Sequence, residues 1–270
     1  MINNQYQVID AHCHIYPDKI AQRAEGAIEN FYHVRGFGDG TLGMLLREGI
    51  KAGVDRFIVQ SVATTPHQVS SINRFIAGCV AEHSDRLIGL GTLHPEERDL
   101  QEKVEEILAL GLHGVKLHPD IQGFKIDDYR CLKIYELCER YHLPILMHTG
   151  DSRYDNSNPN RLAPVLDIYN GLTVVGAHFG GWSVWEEASE KLQGYDNLYV
   201  DCSSSFAWLD DVTVKEIIRR YTADKVLFGS DYPMWSPATE LERFLSLGYT
   251  DGENRKILSE NAVKVFSVSE

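Results

Sequence analysis

Tyr6-Gln7-Val8-Ile9-Asp10-Ala11-His12-Cys13-His14 is a short apolar run closed by two histidines. Side chains alternate between the faces of a strand, so His12 and His14 point one way and Cys13 the other, into packing. Two neutral imidazoles converging at the mouth of a sheet are half of a divalent-metal site. A lone His-x-His pair carries little weight, because such pairs are commonly solvated or hydrogen-bonded. Its weight grows here because later apolar runs end in the same manner, at His118, His148, His178 and Asp231.

Working outward, β-rich runs fall at 6–12, 55–60, 87–92, 114–118, 144–148, 173–178, 197–201 and 225–229. Helical spacing appears between them, at 41–53, 96–111 (with Gly111 as a C-cap), 127–141, 212–220 and 239–247, and a final helix at 254–266. Strands rich in Val, Ile and Leu alternating with helices predict a parallel sheet covered on its outer face. Eight such units close as a (β/α)₈ TIM barrel, a single α/β domain over 1–270 with its site at the carboxyl ends of the strands. An open doubly wound sheet competes less well, because no glycine-rich phosphate turn follows the first strand. The segments 15–40 and 149–159 are longer than usual connections and are expected to form a lid or pocket wall.

Composition narrows the function. The 270 residues are 43% hydrophobic and 24% charged, ordinary for a globular chain. A formal net charge of -13, from 26 basic and 39 acidic residues, argues against nucleic acid or an anionic membrane as partner. A small anionic substrate stays open, since a local cluster around a metal overrides the global field. The five cysteines, at 13, 79, 131, 138 and 202, have no metal-knuckle spacing and read as reduced core thiols. Met1–Gln5 lacks the basic and apolar pattern of a leader, and no apolar run approaches the ~20 residues of a membrane span. The expectation is a cytoplasmic protein.

In a barrel of this kind His12 and His14 end the first strand, Lys116 and His118 the fourth, His148 the fifth, His178 the sixth and Asp231 the eighth. Closure brings the eighth strand beside the first, so Asp231 can approach the histidine pair. A His, His, His, Asp cluster with an open position suits Zn²⁺ first, and Mn²⁺ or Fe²⁺ after it. Singly, each residue has a plain structural use: Asp231 as a cap, Lys116 in an ion pair, His148 and His178 in rim hydrogen bonds. Together, each ends a different predicted strand, and that coincidence favours chemistry. The other six histidines are left with structural roles.

Asp10-Ala11-His12-Cys13-His14, Gly114-Val115-Lys116-Leu117-His118-Pro119, Met147-His148-Thr149-Gly150, Gly176-Ala177-His178-Phe179-Gly180-Gly181 and Gly229-Ser230-Asp231-Tyr232-Pro233 also carry a resemblance. In this order, over nearly the whole chain, they resemble the amidohydrolase superfamily, in particular the amidohydrolase-related branch that includes aminocarboxymuconate-semialdehyde decarboxylase. The resemblance implies one divalent ion held by His12, His14, His148 and Asp231, with His178 beside the reacting group as acid, base or electrophile. It also implies a possible homodimer. Two-metal members use a carbamylated lysine on the fourth strand; Lys116 lies in a Lys-x-His-Pro pattern associated with one-metal members, so a second metal there is the lesser alternative.

Several decarboxylases of that branch have glutamate where this chain keeps the first histidine, which turns the first expectation toward hydrolysis. A zinc ion lowers the pKa of its water from about 15.7 to roughly 7, and Asp231 would take the water proton as an amide, lactone or ester carbonyl is attacked. His178 would polarise that carbonyl or protonate the leaving group. Lys116 and His118 would meet substrate oxygens, and Arg153 and Tyr154 in the loop after His148 are candidates for a substrate carboxylate. A metal-dependent decarboxylase or other lyase is the alternative, and a barrel that binds a small molecule without chemistry is a third.

Overall fold

Alternation in the strands decides what faces the barrel axis. In β6 (Ile145–Met147), Ile145 and Met147 pack outward under the helices while Leu146 points inward. The same parity in β5 (Val115–Leu117) buries Val115 and Leu117 outward and aims Lys116 into the interior. The structure, a computed structural model, describes residues 5–267; Met1 to Asn4 of the leader reading, and 268–270, lie outside the described residues.

The remaining strands are β1 (Ile9–His14), β2 (Arg56–Gln60), β3 (Leu87–Gly89), β4 (Gly91–Thr92), β7 (Val174–Gly176), β8 (Leu198–Asp201) and β9 (Val226–Leu227). Every pairing is parallel, in the orders β1-β2-β3 and β4-β5-β6-β7-β8-β9. The expected strand 87–92 is divided at Leu90. There the chain changes neighbour: Leu90 N–H bonds Val59 O, and Gly91 N–H bonds Gly114 O, both at 2.9 Å. The ring closes through Ala11 N–H to Phe228 O (2.9 Å), Asp231 N–H to His12 O (2.8 Å) and His14 N–H to Tyr232 O (2.7 Å). The result is the (β/α)₈ barrel, with β3 and β4 sharing one strand position.

Ile9, Ala11, Ile58, Leu90, Leu146, Val175, Tyr199 and Leu227 fill the barrel, and Ala262, Val265 and Phe266 of the last helix pack against them. β1 departs from plain alternation. Its register with β2 shifts between Asp10 and Cys13, a bulge that sets Cys13 outward in the helix-side core while both histidines reach the interior. All five cysteines are free, four of them buried and Cys79 half-buried.

Helices stand at Leu42–Ala52, Leu100–Ala109, Leu132–Arg140, Asp211–Tyr221 and Pro237–Ser246, each within a few residues of its expected place. The segment 15–40 differs from the expectation of a long loop. It contains α1 (Asp18–Tyr32), opened by Pro17, ended by His33 in the left-handed region (φ 57°), with Ala21 its one buried residue. At about 1.5 Å per residue its 15 residues reach roughly 22 Å, enough to cross the barrel mouth. Among the described residues no helix is long and apolar enough to cross a membrane.

Behind the closing seam, Asp10 Oδ1 accepts Ser230 N–H (2.8 Å) and His12 N–H (3.2 Å). Glu240 is buried nearby, and its Oε2 has no partner. Burial, then the charges of Asp10 and Asp231, push its carboxyl up to about 8. A carboxyl raised on folding contributes full stability below its unfolded value and loses it as pH rises through the folded one. Glu240→Gln is therefore expected to leave Tm little changed at pH 5 and to raise it by several degrees at pH 9, since each pKa unit is about 1.4 kcal/mol. Equal Tm differences at both pH values in thermal melts refute it.

Candidate metal centre and cavity

The β1 bulge and the turn after β9 bring three expected ligands together. His12 Nε2 lies 3.2 Å from His14 Nε2 and 3.3 Å from Asp231 Oδ1, and His14 Nε2 is 3.5 Å from Asp231 Oδ1. Donors about 3.3 Å apart are what a tetrahedral ion with bonds of about 2.0–2.1 Å requires. Asp231 sits in the left-handed region (φ 62°), and Ser204 Oγ donates to its Oδ2 at 2.5 Å while accepting Trp235 Nε1–H at 2.7 Å.

Protons at the rings follow from their partners. His12 Nδ1 faces the buried carboxylate oxygen Asp201 Oδ2 at 2.9 Å, so it carries the proton and leaves a lone pair on Nε2. His178 Nδ1 faces Ser203 O (3.1 Å), which only accepts, so its lone pair is on Nε2. His148 Nε2 faces Gly150 O (3.0 Å), which leaves its lone pair on Nδ1. These last two lone pairs meet: His178 Nε2 and His148 Nδ1 are 3.1 Å apart with no proton between them. A cation relieves such a contact.

Burial dominates the electrostatics. It holds His12, His14, His118 and His148 well below the usual histidine value and His178 at about 3, so all five rings are neutral and able to ligate. It pushes Asp231 up to about 7 and brings Lys116 down to about 8. Lys116 Nζ is 3.0 Å from His12 Nε2, on the lone pair that an ion would use. The donor set, poor in protons and rich in converging lone pairs, fits a divalent ion. His148, the fourth expected ligand, stands apart from the His12, His14, Asp231 trio; its donors group instead with His118 and Asp120.

The site floors a cavity of about 860 Å³. Its wall includes Ile20, Ala24, Ile28 and Phe31 of α1, together with Trp182 and Trp208. Lys116, His118 and His178 all border this space. His118 stacks flat on His148 (ring centroids 3.9 Å, 6°), and its Nε2 touches Tyr32 Oη at 2.8 Å rather than open space. Arg153 and Tyr154, expected from sequence to meet a substrate carboxylate, are not among the residues that line this cavity. The Arg153 guanidinium bonds both oxygens of Asp151 (2.9 and 2.7 Å) and Phe31 O (2.7 Å), and Tyr154 stacks on Phe31 at 5.6 Å. Arg153 thereby ties the last turn of α1 to the loop after β6, its charge spent on Asp151.

Sequence reasoning missed Asp201, Ser203, Ser204 and Tyr32. Asp201 ends the expected strand 197–201 and obeys the rule that selected the histidines, so a signal existed. Ser203 Oγ lies between His12 Nδ1 (3.1 Å) and His178 Nδ1 (2.9 Å), coupling two rings far apart in the sequence.

A family model described as Amidohydrolase matches residues 9–268. The chain belongs to that family. Over 115 residues it is 35% identical to a 2-amino-3-carboxymuconate-6-semialdehyde decarboxylase from Dictyostelium discoideum, a match covering 41% of this amidohydrolase and 32% of that protein. An uncharacterised TIM-barrel protein from Bordetella bronchiseptica superposes with TM-score 0.80 at 22% identity, over 97% of this chain and 98% of that one. A dihydroxybenzoic acid decarboxylase from a Polaromonas species, solved with bound manganese and 2-nitroresorcinol, superposes with TM-score 0.73 at 17% identity over 97% of each chain. At these identities the structural likeness speaks for the fold.

Proposed function

We propose that this amidohydrolase-family protein is a metal-dependent, non-oxidative decarboxylase of a small organic carboxylate. The observation that carries the reading is the polarity of the cavity: lone pairs, Lys116 and Asp231 lie at its floor, and apolar and aromatic side chains form most of the wall. Loss of CO₂ turns an anion into a neutral molecule, and a largely apolar wall favours that direction. The names of the curated relative and of the manganese-bearing neighbour support the same class. Hydrolysis, the first expectation from sequence, becomes the second reading.

His12, His14 and Asp231 would hold the ion, with His148 as the further expected ligand. A divalent ion there, zinc or manganese, supplies a Lewis acid for a substrate oxygen. The remaining work falls to the chain. Lys116 presents the nearest positive charge to substrate oxygen. Departure of CO₂ leaves an electron pair on carbon, which takes one proton, so the sum is R–COO⁻ plus H⁺ giving R–H and CO₂. Asp231 is the group at the floor able to deliver that proton, while His178 presents its Nε2 lone pair to the site and Ser203 and Asp201 fix its orientation.

Product analysis tests this reading. Metal-loaded protein incubated with a carboxylate library in ¹⁸O-water is expected to release one CO₂ per product formed, with no label in the organic product. Label in a new carboxyl or hydroxyl group would instead establish hydrolysis. Metal analysis of the same sample is expected to give one equivalent per chain; two equivalents would restore the carbamylated Lys116.

A further inference from the structure

The cavity-facing side of α1 adds nothing to the hydrophobic core. Ile20, Ala24, Ile28 and Phe31 recur at helical spacing and all border the cavity, yet none belongs to either core cluster. The helix Val69–Glu82 buries Val69, Asn73 and Ile76 and leaves Ile72 and Phe75, three apart, on the same cavity. All six of these apolar side chains are half-buried, whereas the polar residues nearby on the wall, Lys19, Arg23, Gln68 and Ser71, are exposed. The space does not stop there. A second hollow of about 630 Å³ is lined by Leu42, Leu46 and Cys79, and Tyr16, Pro17, Lys19 and Phe75 line both spaces. The start of α1 and the Phe75 ring are therefore the partition between the two.

At about 860 Å³ the main cavity already stands in the upper part of the range for drug-sized ligands, about 300–1,000 Å³. Apolar side chains gain nothing by facing water, and a row of them around one space fits a hydrocarbon group that takes their surface out of it. A charged or polar group placed against them would leave its own hydrogen bonds unmade. We propose that the gap between α1 and the helices Leu42–Ala52 and Val69–Glu82 is a tail channel, so that the molecule taken by this site carries a hydrocarbon tail behind the head held at the floor. The tail passes Phe75 into the second hollow. That the head is a carboxylate rests on the decarboxylase reading; the tail rests on the apolar lining alone.

The probes are butanoate, hexanoate, octanoate and decanoate, with the 1-alkanols of the same lengths, titrated calorimetrically into metal-loaded protein at pH 8. Affinity is expected to rise about 3- to 4-fold per methylene, the effect of burying one CH₂, or roughly 100-fold from butanoate to octanoate. Ile28→Asp is expected to flatten the series while leaving butanoate affinity and Tm unchanged, because Ile28 lies outside the core. At about ten times its Kd, decanoate is expected to slow N-ethylmaleimide labelling of Cys79 about 10-fold by mass action, and butanoate to leave it unchanged. The other four cysteines are buried, so the label reads Cys79. A series flat with length, no binding by any acid or alcohol, or a length dependence that survives Ile28→Asp overturns the inference. Labelling of Cys79 untouched by decanoate overturns it too, because the tail then never reaches the second hollow. A rise along the alkanols with no CO₂ in the product assay would end the decarboxylase reading and leave the channel standing.

Discussion

Asp231→Asn is expected to lower kcat about 1000-fold, within the range for loss of a positioned acid or base. The side chain sits 3.3 and 3.5 Å from His12 Nε2 and His14 Nε2, and burial raises its carboxyl above the ordinary carboxylate range. Asparagine keeps the volume and one oxygen that can face the ion, so a bound metal fraction should survive. It removes the proton carrier. The check is paired: elemental analysis should still find metal in the variant while turnover collapses. Wild-type turnover in a metal-replete Asp231→Asn protein would take Asp231 out of the chemistry and leave it a ligand only.

Asp201→Asn is expected to weaken metal binding by about 10- to 100-fold, the usual cost of losing the partner behind a ligating histidine. Asp201 receives the proton of His12 Nδ1 at 2.9 Å and at the same time accepts the backbone N–H of His178 at 3.1 Å. An amide N–H turned toward His12 would drive the ring proton to Nε2, onto the lone pair meant for the ion. Chelator competition measures the affinity, and thermal melts check that the barrel remains folded. An affinity equal to the wild type would mean that His12 keeps its tautomer without Asp201.

The barrel was legible because strand parity and strand ends coincide in this chain. Val115 and Leu117 face the helices, so Lys116 and His118 must face the axis, and His148 follows in the same way from Leu146, whereas His178, after inward-facing Ala177, is turned in by a left-handed backbone (φ 59°). Ring closure then put Asp231 beside His12 across more than two hundred residues, as the eight-unit count implied. Three features escaped that logic. The β1 bulge adds one residue where simple alternation was assumed. α1 hid within a segment punctuated by Gly26, Gly36, Gly38 and Gly40, although its apolar positions 20, 24, 27, 28 and 31 have helical spacing. Arg153 was assigned by charge alone, and nothing local revealed that Asp151, two residues earlier, would neutralise it.

α1 is fastened by neighbours at its two ends, through Tyr16 N–H to Gly40 O before it and Phe31 O to Arg153 after it, and one of its side chains enters the core. Exchanging Ile20, Ala24 or Ile28 for bulkier or smaller residues redraws the chamber without disturbing the ligands below or the packed layers beneath the outer helices. The shape of the chamber can therefore change on this one span, a single crossbar, while the residues at its floor stay where they are.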